Sequence, residues 1–203
     1  MRDILNHRTI GITGGIAMGK TTVSTYLESH CHLTVLDADR YARDAVLPKT
    51  RAIAAIVDRY SSTILLPDGT LDRPALGTKI FTDPAERRWV ESQIHPFVKA
   101  KLIQNRDRAL QDCPDRPVVL VVPLLFEAEM TDLVTEIWVI YCSHDRQLQR
   151  LMMRSNLSEK QALDRISSQM DIQTKCKNAT WILDNSTQVA ELYAQIDRAI
   201  GVT

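Results

Sequence analysis

Residues 9–22 read TIGITGGIAMGKTT. Ile10 and Ile12 alternate with Gly11 and Thr13, the period of a short strand. Gly14, Gly15 and Gly19 then allow a compact loop whose backbone N–H groups can converge on an anion. From Gly14 to Thr21 the spacing is G-x-x-x-x-G-K-T, with a helical run over 21–29 beyond it. In that setting Lys20 supplies a mobile positive charge for β and γ phosphates, and Thr21 supplies a hydroxyl for Mg²⁺. The alternative is a tight strand-to-helix turn with an incidental lysine. The strand before the loop and the helix after it favour phosphate binding.

The helix after the loop puts Val23, Tyr26 and Leu27 on one side and leads through residues 30–32 into a second apolar strand over 33–36. This is a βαβ unit, so a parallel sheet is expected. Asp37, Ala38 and Asp39 stand at the end of that strand, and ligands of such sheets bind beyond the carboxyl ends of the strands. Both acids are therefore expected on the side of the glycine loop. Asp39 can hydrogen-bond an acceptor hydroxyl and take its proton as a phosphoryl group is transferred. Asp37 either caps a helix or binds Mg²⁺ through water. The alternative for both is helix capping, with Tyr41 and Ala42 entering the next helix.

Residues 40–110 are mostly helical in pattern, with turn signals at Pro48, at 67–69 (PDG) and at Asp83-Pro84. Asp72 is a candidate cap for a helix running to Phe81, and Asp83-Pro84 opens a long one carrying Trp89, Ile94, Val98 and Leu102. His95-Pro96 is expected to interrupt and kink that helix, with His95 projecting into a cleft. The block shows no strand-rich core of its own and reads as a helical insertion. The run 118–122 is apolar throughout, as in a strand buried on both faces, and is expected to be the central one. Pro123 ends it and Glu127 is expected within a short helix. Further strands are expected over 137–142 and 181–183.

Residues 143–178 are polar and basic, with Arg146, Arg150, Arg154, Lys160, Arg165, Lys175 and Lys177, and 158–161 form a capping box. Few large apolar residues and many charges suit a mobile lid. Arg150 and Arg154, four apart on a helix, can reach one polyphosphate; the alternative is a solvated stripe. Residues 187–200 form an amphipathic helix with Val189, Leu192, Ile196 and Ile200 on one stripe. The tryptophans Trp89, Trp138 and Trp181 are assigned to packing.

The chain has 203 residues, enough for one well-cored domain with small insertions. Its 25 basic residues balance 25 acidic ones, so no global field draws it to nucleic acid or to an anionic membrane. Cys31, Cys113, Cys142 and Cys176 are widely separated, with no C-x-x-C, and read as free thiols. The N-terminal MRDILNHRT lacks a long apolar core, and no membrane-length apolar run follows, so a soluble cytoplasmic protein with small, locally recognised partners is expected.

With these residues assembled, the chain resembles the dephospho-coenzyme A kinase family of P-loop kinases. The resemblance spans nearly the whole length and is carried by GITGGIAMGKTT (11–22), DADRYAR (37–43), LPDGTLDR (66–73), HPFV (95–98), PLLFE (123–127), QLQRLMMR (147–154) and ILDN (182–185). It implies ATP, Mg²⁺ and transfer to the ribose 3′-hydroxyl of dephospho-CoA, giving CoA and ADP. It also implies an α/β fold of three layers: a five-stranded parallel sheet in a core of about 1–47, 115–142 and 178–203, a helical CoA-binding insertion of about 48–114 and a lid of about 143–177. By position, Asp39 matches the family's general base. Ala17, Met18, Gly19, Lys20, Thr21 and Thr22, with Gly14 and Gly15, match the nucleotide-phosphate segment. Arg43, His95 and Leu124 fall where the family meets its acceptor, Arg150 and Arg154 fall on the lid, and Asn185 precedes a loop expected beside adenine. Two loop positions depart from the family's usual glycine and serine, namely Ala17 and Met18, which is expected to be bulky near the loop's mouth.

Two other readings compete. One is another small P-loop kinase acting on a nucleoside, nucleotide or sugar. The other is a nucleotide-binding switch, weakened because no NKxD-type guanine motif is present. Oligomeric state stays open between a monomer and a weak homo-oligomer.

Overall fold

Strand β1 (Thr9–Gly14) is buried along its whole length and sits in the middle of a five-stranded sheet. The order is β2 (Thr34–Asp37), β3 (Val118–Val121), β1, β4 (Glu136–Tyr141) and β5 (Trp181–Asp184). All four pairings are parallel; Ile10 lies opposite Val119 on one side, and Ile12 opposite Trp138 on the other. The structure, a computed structural model, describes residues 7–201. The α/β class and the five parallel strands are those the resemblance implies.

The expected central strand, 118–122, is β3, which lies one place off the centre. Both β1 and β3 are buried at every residue. An apolar run reports that a strand is interior, and cannot report its rank among interior strands.

The chain divides into two compact units, Met1–Asp37 with Asn105–Thr203, and Ala38–Gln104. In the first, helices α1 (Lys20–Ser29) and α9 (Val189–Ile200) pack on the sheet. Val23 and Leu27 of α1 and Leu192 and Ile196 of α9 share a core with Ile10, Ile12, Trp138, Ile140 and Leu183. The α1–α9 seam carries Tyr26, stacked on Tyr193 with ring centroids 4.1 Å apart and donating to Asp197 at 2.9 Å. Burial and that carboxylate push its phenol up to about 12. The basic span folds as α6 (His144–Ser155), α7 (Glu159–Ser167) and α8 (Ile172–Lys177), and the capping box at Ser158 and Gln161 is formed.

Glu127 lies in a succession of turns over 123–129, where the sequence predicts a short helix. One helical turn begins, with Ala128 N–H bonding Leu124 O, but Glu129 takes φ 51° and the chain closes through Glu129 N–H to Phe126 O and Met130 N–H to Leu125 O. A left-handed residue stops a helix there.

The second unit holds α2 (Ala38–Asp44), α3 (Arg51–Tyr60), α4 (Arg73–Thr82) and the larger part of α5 (Pro84–Asp112). It buries its own core of Val46, Ile53, Ile56, Ile64, Leu71, Leu76 and Val90. Asp72 caps α4 by accepting from Ala75 N–H at 3.0 Å, and Asp83 accepts from Ala85 N–H at 2.7 Å. Arg59 lies over the Trp89 ring and pairs with Glu86, to which Tyr60 also donates; these bonds hold the Glu86 carboxyl down at about 2. Helix α5 runs through Pro96 without a break, contrary to the expected interruption. Proline removes one backbone donor, a local cost of about 3 kcal/mol that a 29-residue helix with packed turns on both sides absorbs.

Among the described residues no helix is long and apolar enough to cross a membrane. The expectation from the start of the chain rests on residues 1–9, of which 1–6 lie outside the described range.

Candidate active site

The loop after β1 owes its shape to close approaches. Gly14 takes φ 145°, and a Cβ there would run into the Ile140 carbonyl; Gly19 takes φ 104°, and a Cβ there would run into the Asn185 side-chain nitrogen. Between them Ala17 is left-handed at φ 61° without being glycine. Helix α1 starts immediately beyond, and the first N–H groups of a helix have no partner within it. Lys20 Nζ donates to the carbonyls of both Gly14 and Gly15 at 2.9 Å, which holds a positive charge against the loop's own backbone. Thr21 is exposed and Thr22 half-buried on the first turn. A cradle of amides, a tethered ammonium and two hydroxyls suits an anionic polyphosphate.

Met18, expected near the loop's mouth, points inward and is 1% exposed within the sheet core. Its thioether is apolar and adaptable, and filling the core is favoured over exposure. Asn185 is also buried; its Nδ2 donates to Met18 O at 2.9 Å.

Two glutamines that sequence reading does not single out hold Ile16. Gln147 Nε2 donates to Ile16 O at 3.0 Å, and Gln169 Oε1 accepts from Ile16 N–H at 2.7 Å. For Gln147 a signal exists: it sits four residues before buried Leu151, on the stripe where an apolar residue belongs. The pairing of Glu127 with Lys175 is likewise invisible in the sequence. Lys175 is wholly buried, donates to Pro123 O at 3.0 Å and pairs with Glu127 at 2.9 Å. Pro123 O also accepts from the Thr13 hydroxyl at 3.0 Å, and Glu127 accepts from Met170 N–H at 3.1 Å. A cleft of ≈ 260 Å³ beside the loop is lined by Gly15, Met18, Cys142, Gln147, Gln169 and Ile172, among others.

Arg150 lies one turn beyond Gln147 on α6, and its Nη1 is buried with no hydrogen-bond partner among the described residues. It faces the Cys142 thiol, which burial pushes up while Arg150 opposes the rise. Arg154 is exposed and Leu124 is half-buried. The first unit therefore contains the phosphate-loop residues, Asn185, Leu124, Arg150 and Arg154. Asp39, Arg43 and His95 belong to the second unit. Asp39 and Arg43 are exposed on α2, and Arg43 O accepts from Arg73 at 3.4 Å.

His95 is half-buried on α5, and burial lowers its pKa while Glu91, one turn back, opposes the shift. A histidine with a depressed folded pKa leaves the unfolded chain holding more protons, so stability falls as pH drops through the unfolded value of about 6.5. Thermal melts from pH 8 to 5 are expected to show that decline, and His95→Asn to flatten it.

Among the described residues no group of three His, Cys, Asp or Glu side chains could hold a metal ion. The chain matches the family model described as dephospho-CoA kinase over residues 8–191. A dephospho-CoA kinase of Trichormus variabilis is 49% identical over 197 residues, covering 97% of this chain and 98% of that protein. Among solved structures, TT1252 from Thermus thermophilus superposes with a TM-score of 0.78 at 30% identity, over 98% of this chain and all of that one. The dephospho-CoA kinase from Campylobacter jejuni superposes with a TM-score of 0.69 at 26% identity, over 95% of each chain. The glycine loop, the tethered lysine and the five parallel strands thus occur together with a full-length family match, and the chain belongs to the dephospho-CoA kinase family.

Proposed function

We propose that this kinase, which phosphorylates dephospho-CoA with ATP to complete coenzyme A, binds the triphosphate along Ala17 to Thr22 and uses Asp39 as its base. Lys20 leaves the Gly14 and Gly15 carbonyls for the β and γ phosphates, and Arg150 and Arg154 gather round the transferred group. Asp39 hydrogen-bonds the ribose 3′-hydroxyl and takes its proton as the bond from that oxygen to the γ phosphorus forms and the bridge to ADP breaks. Arg43, His95 and Leu124 hold the acceptor, His95 from within a CoA-binding part of about 48–114, and Asn185 serves the adenine side. Residues 143–177 act as the lid.

Mg²⁺ fits the donor set: the exposed Thr21 hydroxyl at the first turn of α1 offers one hard oxygen, with phosphate oxygens and water supplying the rest. When bound, it neutralises charge on the β and γ phosphates.

The observation that carries this reading is the ammonium of Lys20 held 2.9 Å from two carbonyls of a glycine-enforced loop. The test offers the purified chain ATP and Mg²⁺ with dephospho-CoA, AMP, CMP or adenosine in separate reactions. ADP release is expected with dephospho-CoA alone. Turnover of a nucleoside monophosphate with none of dephospho-CoA would assign another acceptor, and tight nucleotide binding with no acceptor-dependent ADP release would mark a switch.

A further inference from the structure

We infer that Gln147 and Gln169 are positioning residues that clamp the Ile16 backbone and hold the phosphate loop in its binding shape before ATP arrives. The two bonds are complementary. Gln169 Oε1 accepts from Ile16 N–H at 2.7 Å, and Gln147 Nε2 donates to Ile16 O at 3.0 Å. A backbone N–H can only donate and a carbonyl can only accept, so both amide orientations follow from chemistry. Gln147 is 4% exposed, and burying a primary amide is costly unless it is bonded, so its place on the inner stripe of α6 is explained by what it holds.

What the clamp holds is strained. Ala17, the next residue, is left-handed at φ 61°, an arrangement that crowds the Cβ of any residue but glycine. Both of its neighbours are pinned by side chains from distant segments: Ile16 by the two glutamines, and Met18 O by Asn185 Nδ2 at 2.9 Å. Committing Ile16 N–H to Gln169 also withdraws it from any anion and leaves that role to amides from Ala17 onward. The presenting segment is secured in turn, since Glu127 accepts from Met170 N–H beside Gln169 and is itself paired with buried Lys175.

The inference rests on the phosphate reading of the loop. A loop released from the clamp occupies its competent shape a smaller fraction of the time, which weakens ATP by that fraction and leaves the reaction of bound substrates largely alone. Gln169→Met and Gln147→Met, close in size and without the bonds, are expected to raise KM and Kd for ATP by about ten-fold, with kcat within about three-fold and KM for dephospho-CoA unchanged.

The charged variants separate clamping from bulk packing. Gln169→Glu keeps an acceptor for Ile16 N–H, whereas Gln147→Glu loses the donor and sets a carboxylate against Ile16 O. Both add one negative charge beside the same loop, so the difference between them reports bond polarity. Gln169→Glu is expected to bind ATP at least about three-fold more tightly than Gln147→Glu, measured by calorimetry with wild-type protein alongside. Equal weakening by the two, or a loss confined to kcat, would overturn the clamp. If Gln147→Glu does not fold, Gln169→Glu against Gln169→Met decides it, and equal ATP affinity there would overturn the clamp as well. Failure of the wild type to release ADP with dephospho-CoA would instead remove the assigned reaction, and calorimetric ATP binding is read independently of it.

Discussion

Asp39→Asn is expected to bind ATP as tightly as the unaltered chain and to lose roughly 10³- to 10⁴-fold in kcat. Asparagine matches aspartate in size and can still touch a hydroxyl, but it cannot take the proton that the 3′-oxygen must shed as it bonds to phosphorus. Asp39 is exposed in the first turn of α2, directly after β2, where either side chain suits a helix start, so the fold is expected to survive. The phosphate loop belongs to the other compact unit and is held there by Gln147, Gln169 and Asn185, all of which the variant retains. Calorimetry with ATP and an ADP-release assay check the two halves separately. A variant that keeps kcat within about ten-fold would remove Asp39 from the proton-transfer role.

The second large effect concerns stability and is asymmetric. Lys175 is fully buried, whereas the Glu127 side chain keeps 24% of its exposure. Removing the acid strands a charge away from water, and breaking a buried pair that way costs about 3–5 kcal/mol. Glu127→Leu is therefore expected to lower Tm by roughly 10 °C, at about 2–4 °C per kcal/mol for a chain of this size. Lys175→Met leaves a carboxylate that can turn to solvent, and its loss is expected to be less than half as large. The double variant should recover much of the Glu127→Leu deficit, because an apolar pair of similar volume has no charge to desolvate. Differential scanning calorimetry on the three variants checks the order; Lys175→Met falling below Glu127→Leu would contradict it.

How much of this is legible beforehand depends on the range of each constraint. The glycine loop is readable because glycine's conformational role is local, and Gly14 and Gly19 do take positive φ with a neighbour pressed against each. The caps at Asp72, Asp83 and Ser158 are readable for the same reason, since donor and acceptor lie within three residues. Lys175 is not. It sits in a strongly basic span and reads as one more solvated charge, yet its partner is 48 residues away and only the fold brings them together. Gln169 has the same difficulty, holding Ile16 across 153 residues. The inward turn of Met18 is also hidden, because a motif's free positions say nothing about direction. The position of Asp39 in the first turn after β2 is readable too, because it needs only the order of elements along the chain.

Met18 bears on how such loops can be exchanged. Its backbone belongs to the glycine loop, where its carbonyl accepts from Asn185, while its side chain belongs to the hydrophobic interior, so one residue answers to two neighbours at once. A glycine-serine version transplanted from a sister enzyme would bring the same amides but leave a void beneath them. Swapping these segments between kinases therefore calls for redesigning the floor together with the loop.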